Sequence, residues 1–89
     1  MTAQNWIAYV GTYTQGFARG IYSLRYDPKT GDLTPLAVVQ SVSPSFLAVS
    51  PNHRVLVAVN ESRRYNGILN SGSVSSFSID PVSGDLAPV

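Results

Sequence analysis

The stretch DPKTGDLTP at Asp27–Pro35 recurs 53 residues later as DPVSGDLAP at Asp80–Pro88, with six of the nine positions identical. Its residues are those of a tight turn. Asp27 can accept hydrogen bonds from nearby backbone N–H groups, Pro28 presets φ, and Gly31 can take a positive φ. The stretch therefore predicts a hairpin between two antiparallel strands, used twice. A repeat of this length is typical of solenoids and propellers.

Short apolar runs rich in Val, Ile, Tyr and Leu surround the two turns, and Gly, Pro, Asn, Asp and Ser interrupt them. An interruption roughly every 8 to 12 residues indicates an all-β sandwich, barrel or propeller. No segment has the periodicity of a helix. Six strands are predicted: Trp6–Gly11, Gly20–Tyr26, Thr34–Ser41, Ser45–Ser50, Val55–Asn60 and Ser73–Ile79.

The order of strand, hairpin and strand favours a β-propeller, with about one and a half to two four-stranded antiparallel blades in this chain. Residues 1–42 are predicted to form strands B, C and D of one blade. Residues 43–89 are predicted to form strands A, B and C of the next, with D just beginning. Propellers close with about four to eight blades. We therefore expect a piece of a larger propeller, or a unit that assembles with copies of itself.

Packing expectations follow from the same strands. The run VLVAV at residues 55–59 is apolar on both faces, which suits an inner strand covered on both sides. The large aromatic side chains are expected to fill the space between blades; these are Trp6, Tyr22, Phe46 and Phe77.

Composition excludes several classes of partner. The net charge is +1 with 12% charged residues, so the chain lacks the basic stripe of a nucleic-acid protein. No apolar run approaches the length of a transmembrane helix, and the N-terminus lacks the pattern of a signal peptide. With one histidine and no cysteine, the sequence offers no metal-ligand cluster, and no cofactor is predicted. We expect a cytoplasmic protein without nucleic-acid or membrane partners.

Four longer stretches cover nearly the whole chain: YVGTYT at 9–14, GIYSLRYDPKTGDLTPL at 20–36, PSFLAVSPNHRVLVAVNE at 44–61 and GSVSSFSIDPVSGDL at 72–86. They resemble the start of the lactonase-type seven-bladed β-propellers. That family includes propeller-type 6-phosphogluconolactonases and carboxymuconate-cyclase-like enzymes. The resemblance implies the N-terminal part of a longer propeller.

The resemblance also implies where a site would lie. In the family, a central blade presents an Arg-His pair, and the glutamate of a VNE motif follows sixteen residues after the arginine. Here Val59-Asn60-Glu61 matches VNE, but Ser45-Phe46 stands at the Arg-His positions, which implies a sister of the catalytic blade. The family's site uses the end that carries the loops after strands B and D. The repeated turn follows strand C and is expected at the opposite end.

Residues at the B and D end are the candidates for lining a substrate channel: Tyr13, Ser45, Asn60, Glu61, Arg63 and Arg64. Glu61 is a weak candidate for catalysis as a general acid or base, and a structural role or a place at the channel rim is favoured over it. An arginine fork suits a phosphate, whereas a solvated loop is the simpler reading of Arg63 and Arg64. The single histidine, His53, lies in a predicted turn at the opposite end.

Two functions fit these observations. The first is the N-terminal part of an enzyme that hydrolyses a sugar lactone such as 6-phosphogluconolactone, with this segment inactive alone. The second is a non-catalytic propeller for binding or assembly, since a fold does not fix a function. The expected partners are a sugar lactone or phosphosugar, and the remaining blades or copies of the chain. A downstream blade with Arg-His followed sixteen residues later by Glu would favour the enzyme.

Overall fold

The computed structural model describes residues 6–14, 16–61, 64–65, 68–69 and 72–89. These residues form nine strands: β1 (Trp6–Val10), β2 (Gly20–Tyr26), β3 (Leu33–Gln40), β4 (Pro44–Val49), β5 (Val55–Asn60), β6 (Arg64–Tyr65), β7 (Ile68–Leu69), β8 (Ser73–Ile79) and β9 (Leu86–Pro88). In this part of the chain, no helix is long and apolar enough to cross a bilayer.

The strands form three antiparallel sheets. The first has the order β1-β2-β3, the second β4-β5-β8-β9, and β6 pairs with β7 in a two-stranded hairpin. The first sheet lies within residues 1–42 and the second within 43–89. The assignment of these two ranges to successive blades of a closed ring stays a prediction.

The strand register shows at which end of the sheets each loop or turn lies. Gly20 pairs with Gln40, and Pro44 pairs with Asn60, which in turn pairs with Ser73. The connections after β1, β3 and β5 therefore lie at one end of the sheets, which we name the Glu61 end. The turns after β2, β4 and β8 lie at the other, which we name the Gly84 end. This arrangement agrees with the one expected from the sequence.

The two copies of the repeated turn have the same backbone. The N–H of Gly31 donates to the carbonyl of Asp27 at 2.7 Å, and the N–H of Gly84 donates to that of Asp80 at 2.9 Å. Gly31 has a φ of 79° and Gly84 a φ of 78°, in the left-handed region that favours glycine. At Asp80, hydrogen bonds from the N–H groups of residues 83 and 82 hold the pKa of the carboxyl below its ordinary value.

The surroundings of the two turns differ. A Cβ on Gly31 would meet nothing within 4 Å, whereas one on Gly84 would lie 3.0 Å from Cγ1 of Ile7 in the first sheet. The Tyr9 hydroxyl also donates to the carbonyl of Gly84 at 2.6 Å. Burial, and then the charge of Asp85, raises the pKa of Tyr9 above its ordinary value. The second turn therefore joins the two sheets.

The core lies between the facing sides of the two large sheets. Its buried members are Ile21 from the first sheet and Leu56, Ala58 and Phe77 from the second. Side chains of partly buried residues pack around them: Tyr9, Val39, Leu47, Ile79 and Leu86. Alternate residues of β2, β5 and β8 supply this core because successive side chains of a strand point to opposite faces. Of the aromatic residues expected between the sheets, Phe77 is there, with 2% of its surface exposed.

Two of these aromatic residues lie away from the interface between the two described sheets, so their place between other blades stays a prediction. Trp6 is 55% exposed and Phe46 is 67% exposed, so neither lies between the sheets. The second sheet leaves one apolar face open, which we name the outer face; it carries Phe46, Val57, Val59 and Val74, all exposed. Within this pair of sheets, the run at residues 55–59 is covered on one side by the first sheet, and cover on its other side stays a prediction. Period-2 alternation identifies the two faces of a strand but does not say which of them is covered.

Some elements were not expected from the sequence. The stretch from Glu61 to Gly72, interpreted as a polar loop, contains the β6–β7 pairing, in which Arg64 pairs with Leu69 and Tyr65 with Ile68. By contrast, β9 was expected: it pairs with β8 after the second repeated turn, where the sequence predicts the start of a strand D.

Candidate functional site

Three segments meet at the Glu61 end: the β1–β2 loop (residues 11–19), the end of β5, and the β3–β4 connector, in which we include residues 41–43 and the first residue of β4, Pro44. The Tyr13 hydroxyl, from the first segment, donates to Oε1 of Glu61 at 3.1 Å. Both side chains are exposed. Two of the candidates, one carried by each large sheet, are therefore in contact through groups that remain open to solvent.

Ser43 lies in the connector, beneath the Tyr13–Glu61 pair, and forms hydrogen bonds to both of the other segments. Its N–H donates to Oγ1 of Thr14 at 2.9 Å, and its Oγ accepts from the N–H of Thr14 at 3.0 Å. Its carbonyl accepts from the N–H of Glu61 at 2.9 Å. Ser43 is 2% exposed and has a φ of 38°, which is uncommon for a residue with a side chain. These contacts connect the loop that carries Tyr13 to the strand end that carries Glu61.

Asn60 anchors the connector to the second sheet. Its Nδ2 donates to Oγ of Ser41 at 2.7 Å and to the carbonyl of Val42 at 2.8 Å. Its Oδ1 accepts from Oγ of Ser75 at 2.7 Å and from Oγ of Ser73 at 3.4 Å. The residue is 3% exposed, and both amide hydrogens and both acceptor positions are used inside the protein. These contacts are the internal hydrogen bonding that the sequence favours for Asn60; whether it also lines a substrate channel stays a prediction.

Gly11 lets the β1–β2 loop approach the connector closely. A Cβ on this residue would lie 2.0 Å from the carbonyl oxygen of Pro44, a distance that real Cβ atoms do not reach. Pro44 is itself fully buried. Gly11 is therefore needed for space, and the loop and the connector form one packed unit.

The remaining candidates are placed as follows. Ser45 is partly exposed and lies in β4 at the register shift between Pro44 and Phe46. Arg63 lies outside the described residues, and Arg64 is described only through the backbone pairing of β6. Whether these three line a substrate channel stays a prediction. His53 is exposed in the β4–β5 turn at the Gly84 end, where its N–H donates to the carbonyl of Ser50 at 2.8 Å.

Sequence reasoning missed Ser43 and Thr14. The available signals were a serine directly before a proline at a strand start and a threonine two residues after the GT pair of YVGTYT. Neither pattern predicts contact between residues 29 positions apart. Within the described ranges, no group of three or more His, Cys, Asp or Glu side chains could hold a metal ion. The exposed functional groups that the structure brings into contact at this end are the Tyr13 hydroxyl and the Glu61 carboxylate.

Comparison with known proteins places the chain among named relatives. It is 32% identical over 82 residues to a 6-phosphogluconolactonase of Bacillus subtilis and 34% identical over 80 residues to one of Formosa agariphila. These matches cover 91% and 88% of the chain but 22% of each relative. The chain thus spans about a fifth of the length of these relatives.

A solved structure and a family model agree with these matches. The periplasmic gluconolactonase of Pseudomonas aeruginosa superposes with a TM-score of 0.82 and 37% identity, over 97% of this chain and 23% of that one. The family model described as "Lactonase, 7-bladed beta-propeller" matches residues 7–89. The predicted all-β propeller fold is confirmed, with the chain covering a fragment of it. The chain belongs to the lactonase family of seven-bladed β-propellers.

Proposed function

We propose that the chain is the N-terminal part of an enzyme that hydrolyses a sugar lactone such as 6-phosphogluconolactone, which would place it in the pentose phosphate pathway. Its relatives are named 6-phosphogluconolactonase and gluconolactonase, and these names support the substrate class. The segment's own contribution is one wall of the substrate site at the Glu61 end. The observation that carries this assignment is the exposed Tyr13–Glu61 hydrogen bond between the two sheets.

The pair suits binding of a polyhydroxylated ligand. An exposed carboxylate can accept hydrogen bonds from sugar hydroxyls, and hydrogen bonds to a charged acceptor are the stronger kind. The Tyr13 hydroxyl, by donating to Oε1, leaves Oε2 of Glu61 to face a ligand. The tyrosine ring adds an apolar surface beside the polar group.

The pair does not by itself supply the hydrolytic machinery. Ester hydrolysis needs a positioned water, a general base and a group that stabilises the developing oxyanion. Ser45 and Phe46 occupy the positions of the family's Arg-His pair, and Phe46 is exposed on the outer face. We therefore assign Glu61 and Tyr13 to substrate binding and expect the catalytic groups in another blade.

Two finer assignments complete the proposal. Arg63 and Arg64 follow Glu61 in the chain after one intervening residue, so a phosphate on the substrate would be recognised there. The absence of cysteine fits a cytoplasmic location, whereas the gluconolactonase of Pseudomonas aeruginosa is periplasmic by name. The remaining blades of the propeller are the partners that the segment requires.

The test uses a complete propeller that carries this segment, assayed with 6-phosphogluconolactone and with gluconolactone. Glu61→Gln is expected to raise KM about tenfold, because a lost hydrogen bond to a charged group costs about 1.5 kcal/mol. Tyr13→Phe should raise KM to a similar extent, because Glu61 then loses the hydroxyl that orients its carboxylate. Their kcat should change less than about twofold, as for groups outside the chemical step. Asp32→Asn, in the exposed turn at the Gly84 end, is the matched control and should change neither constant.

Removal of both arginines should raise KM for the phosphorylated lactone alone. If a correctly folded complete propeller hydrolyses neither lactone, the enzyme assignment is wrong and the non-catalytic binding module takes its place. If both lactones are hydrolysed but the Tyr13 and Glu61 variants behave as the control does, the enzyme stands and the wall assignment is wrong.

A further inference from the structure

Ser43 holds a backbone conformation that its surroundings must maintain. Its φ of 38° lies in the left-handed region, which residues with a Cβ avoid, and it directly precedes Pro44, which restricts its conformations further. Conformations of this kind persist only where neighbouring contacts fix them, and they concentrate near functional sites. Ser43 is also buried, so hydrogen bonds to water do not offset the cost of this conformation.

Hydrogen bonds to two other segments stabilise the left-handed conformation of Ser43. The Ser43 N–H and Oγ form a reciprocal pair with the side chain and N–H of Thr14, at 2.9 and 3.0 Å. The two hydroxyl oxygens are 3.2 Å apart. The left-handed turn directs the Ser43 carbonyl to the N–H of Glu61, at 2.9 Å. Every backbone and side-chain polar group of Ser43 is thus bonded to Thr14 or Glu61.

These bonds fix the residues that carry the exposed pair. Thr14 follows Tyr13 directly, and the Glu61 N–H belongs to the residue whose carboxylate accepts from Tyr13. A hydrogen bond between two exposed side chains contributes little to ordering on its own. The buried link through Ser43 fixes both backbones, so the 3.1 Å contact above it is held in one geometry.

We infer that Ser43 and Thr14 are positioning residues, which hold Tyr13 and Glu61 in register across the two sheets for a sugar lactone. This inference rests on the proposed function. It differs from a purely structural role, in which loss of the link would lower stability without changing the Tyr13–Glu61 contact or its effect on the substrate.

The experiment uses Thr14→Val and Ser43→Ala in a complete propeller carrying this segment, with Thr14→Ser as the conservative variant. Thr14→Val keeps the shape of the side chain but removes the hydroxyl that accepts from the Ser43 N–H. Tyr9→Phe is the matched control, since it removes one hydroxyl-to-backbone hydrogen bond between the same sheets at the opposite end. If Ser43→Ala does not fold, the two Thr14 variants carry the test.

The first readout is the ¹³C signal of the hydroxyl-bearing carbon of Tyr13 in protein with labelled tyrosine, assigned by its loss in Tyr13→Phe. In Thr14→Val it should move to the position seen in Glu61→Gln, and in Thr14→Ser it should stay. The Tyr9→Phe control should lower the melting temperature and leave this signal in place. An unchanged Tyr13 signal in Thr14→Val would overturn the inference, whatever happens to stability.

The second readout is the effect of Tyr13→Phe on KM for 6-phosphogluconolactone. The substitution should raise KM about tenfold in the parent protein and less than twofold in the Thr14→Val background. If the signal moves but Tyr13→Phe leaves KM unchanged in the parent, the positioning holds and the proposed substrate wall fails. If Tyr13→Phe raises KM equally in both backgrounds, the positioning inference fails and the wall stands.

Discussion

Gly11 gives the sharpest test of how the loop and the connector pack at the Glu61 end. In Gly11→Ala, the new Cβ would lie 2.0 Å from the carbonyl oxygen of Pro44, and real Cβ contacts are essentially never under 3.0 Å. The two backbones must therefore separate by about 1 Å, the difference between these two distances. Because Pro44 is fully buried, this movement displaces packed atoms. Overpacking of this kind typically costs about 1–3 kcal/mol, and we expect the upper end of that range.

The same loop supplies a matched control in Gly16, where a Cβ would meet nothing within 4 Å. Gly16→Ala should change the free energy of unfolding by less than about 0.5 kcal/mol, as for an ordinary surface substitution. The assay is urea denaturation of a complete propeller carrying this segment, followed by circular dichroism. Gly11→Ala should also raise KM for the lactone, because the displaced loop carries Tyr13. Equal unfolding free energies for the two variants would refute the close packing of Gly11 on the connector.

Four further predictions follow from the fold and the proposed site. Replacing Lys29 and Thr30 by alanine should change lactone hydrolysis less than about twofold, because their turn lies at the Gly84 end; a hundredfold loss with the fold intact would show that the two ends are assigned the wrong way round. Glu61→Gln should keep most of the turnover, whereas a loss of about 10² to 10⁴ in kcat at unchanged melting temperature would move the catalytic centre into this segment. The raised pKa of Tyr9 favours its neutral form in the folded state, so its contribution to stability is complete below the unfolded pKa of about 10 and is lost as pH rises through the higher folded value. As pH is raised above about 9, the melting temperatures of the parent and of Tyr9→Phe should therefore converge, and parallel curves would contradict this. The 89-residue chain alone should associate or partly unfold at micromolar concentration, because its apolar outer face is exposed; sedimentation showing a concentration-independent monomer with one cooperative urea transition would contradict it.

Local chemistry was enough to predict much of the fold. The bounds of β2, β5 and β8 agree with the sequence prediction because turn residues flank each of these apolar runs. The positive φ at Gly31 and Gly84 follows from the turn type that the repeated stretch requires. The short β6–β7 pairing was missed because two-residue strands are too short for any periodicity to show.

Only part of the candidate site could be predicted from local sequence chemistry. Strand order places Tyr13 and Glu61 at one end, and the structure brings them together. The burial of Asn60 and the link from Ser43 to Thr14 depend on how two sheets pack, and side chains 29 residues apart leave no local pattern. For the same reason, alternation could not show that Trp6 points away from the facing sheet.

The hydrogen bond from Tyr9 to Gly84 distinguishes the interface between the two described sheets from the interface that the outer face would form with a further sheet. The repeat places Ser23 and Ser76 at equivalent positions, and their register partners are Tyr9 in β1 and Val57 in β5. A valine has no hydroxyl, so whatever covers the outer face at that position cannot receive the same bond. In a ring of similar sheets, such differences make some sheet–sheet interfaces stronger than others. In a propeller carrying this segment, an interface held by apolar contacts alone should therefore separate first on unfolding, and the interface between the two sheets described here should separate later.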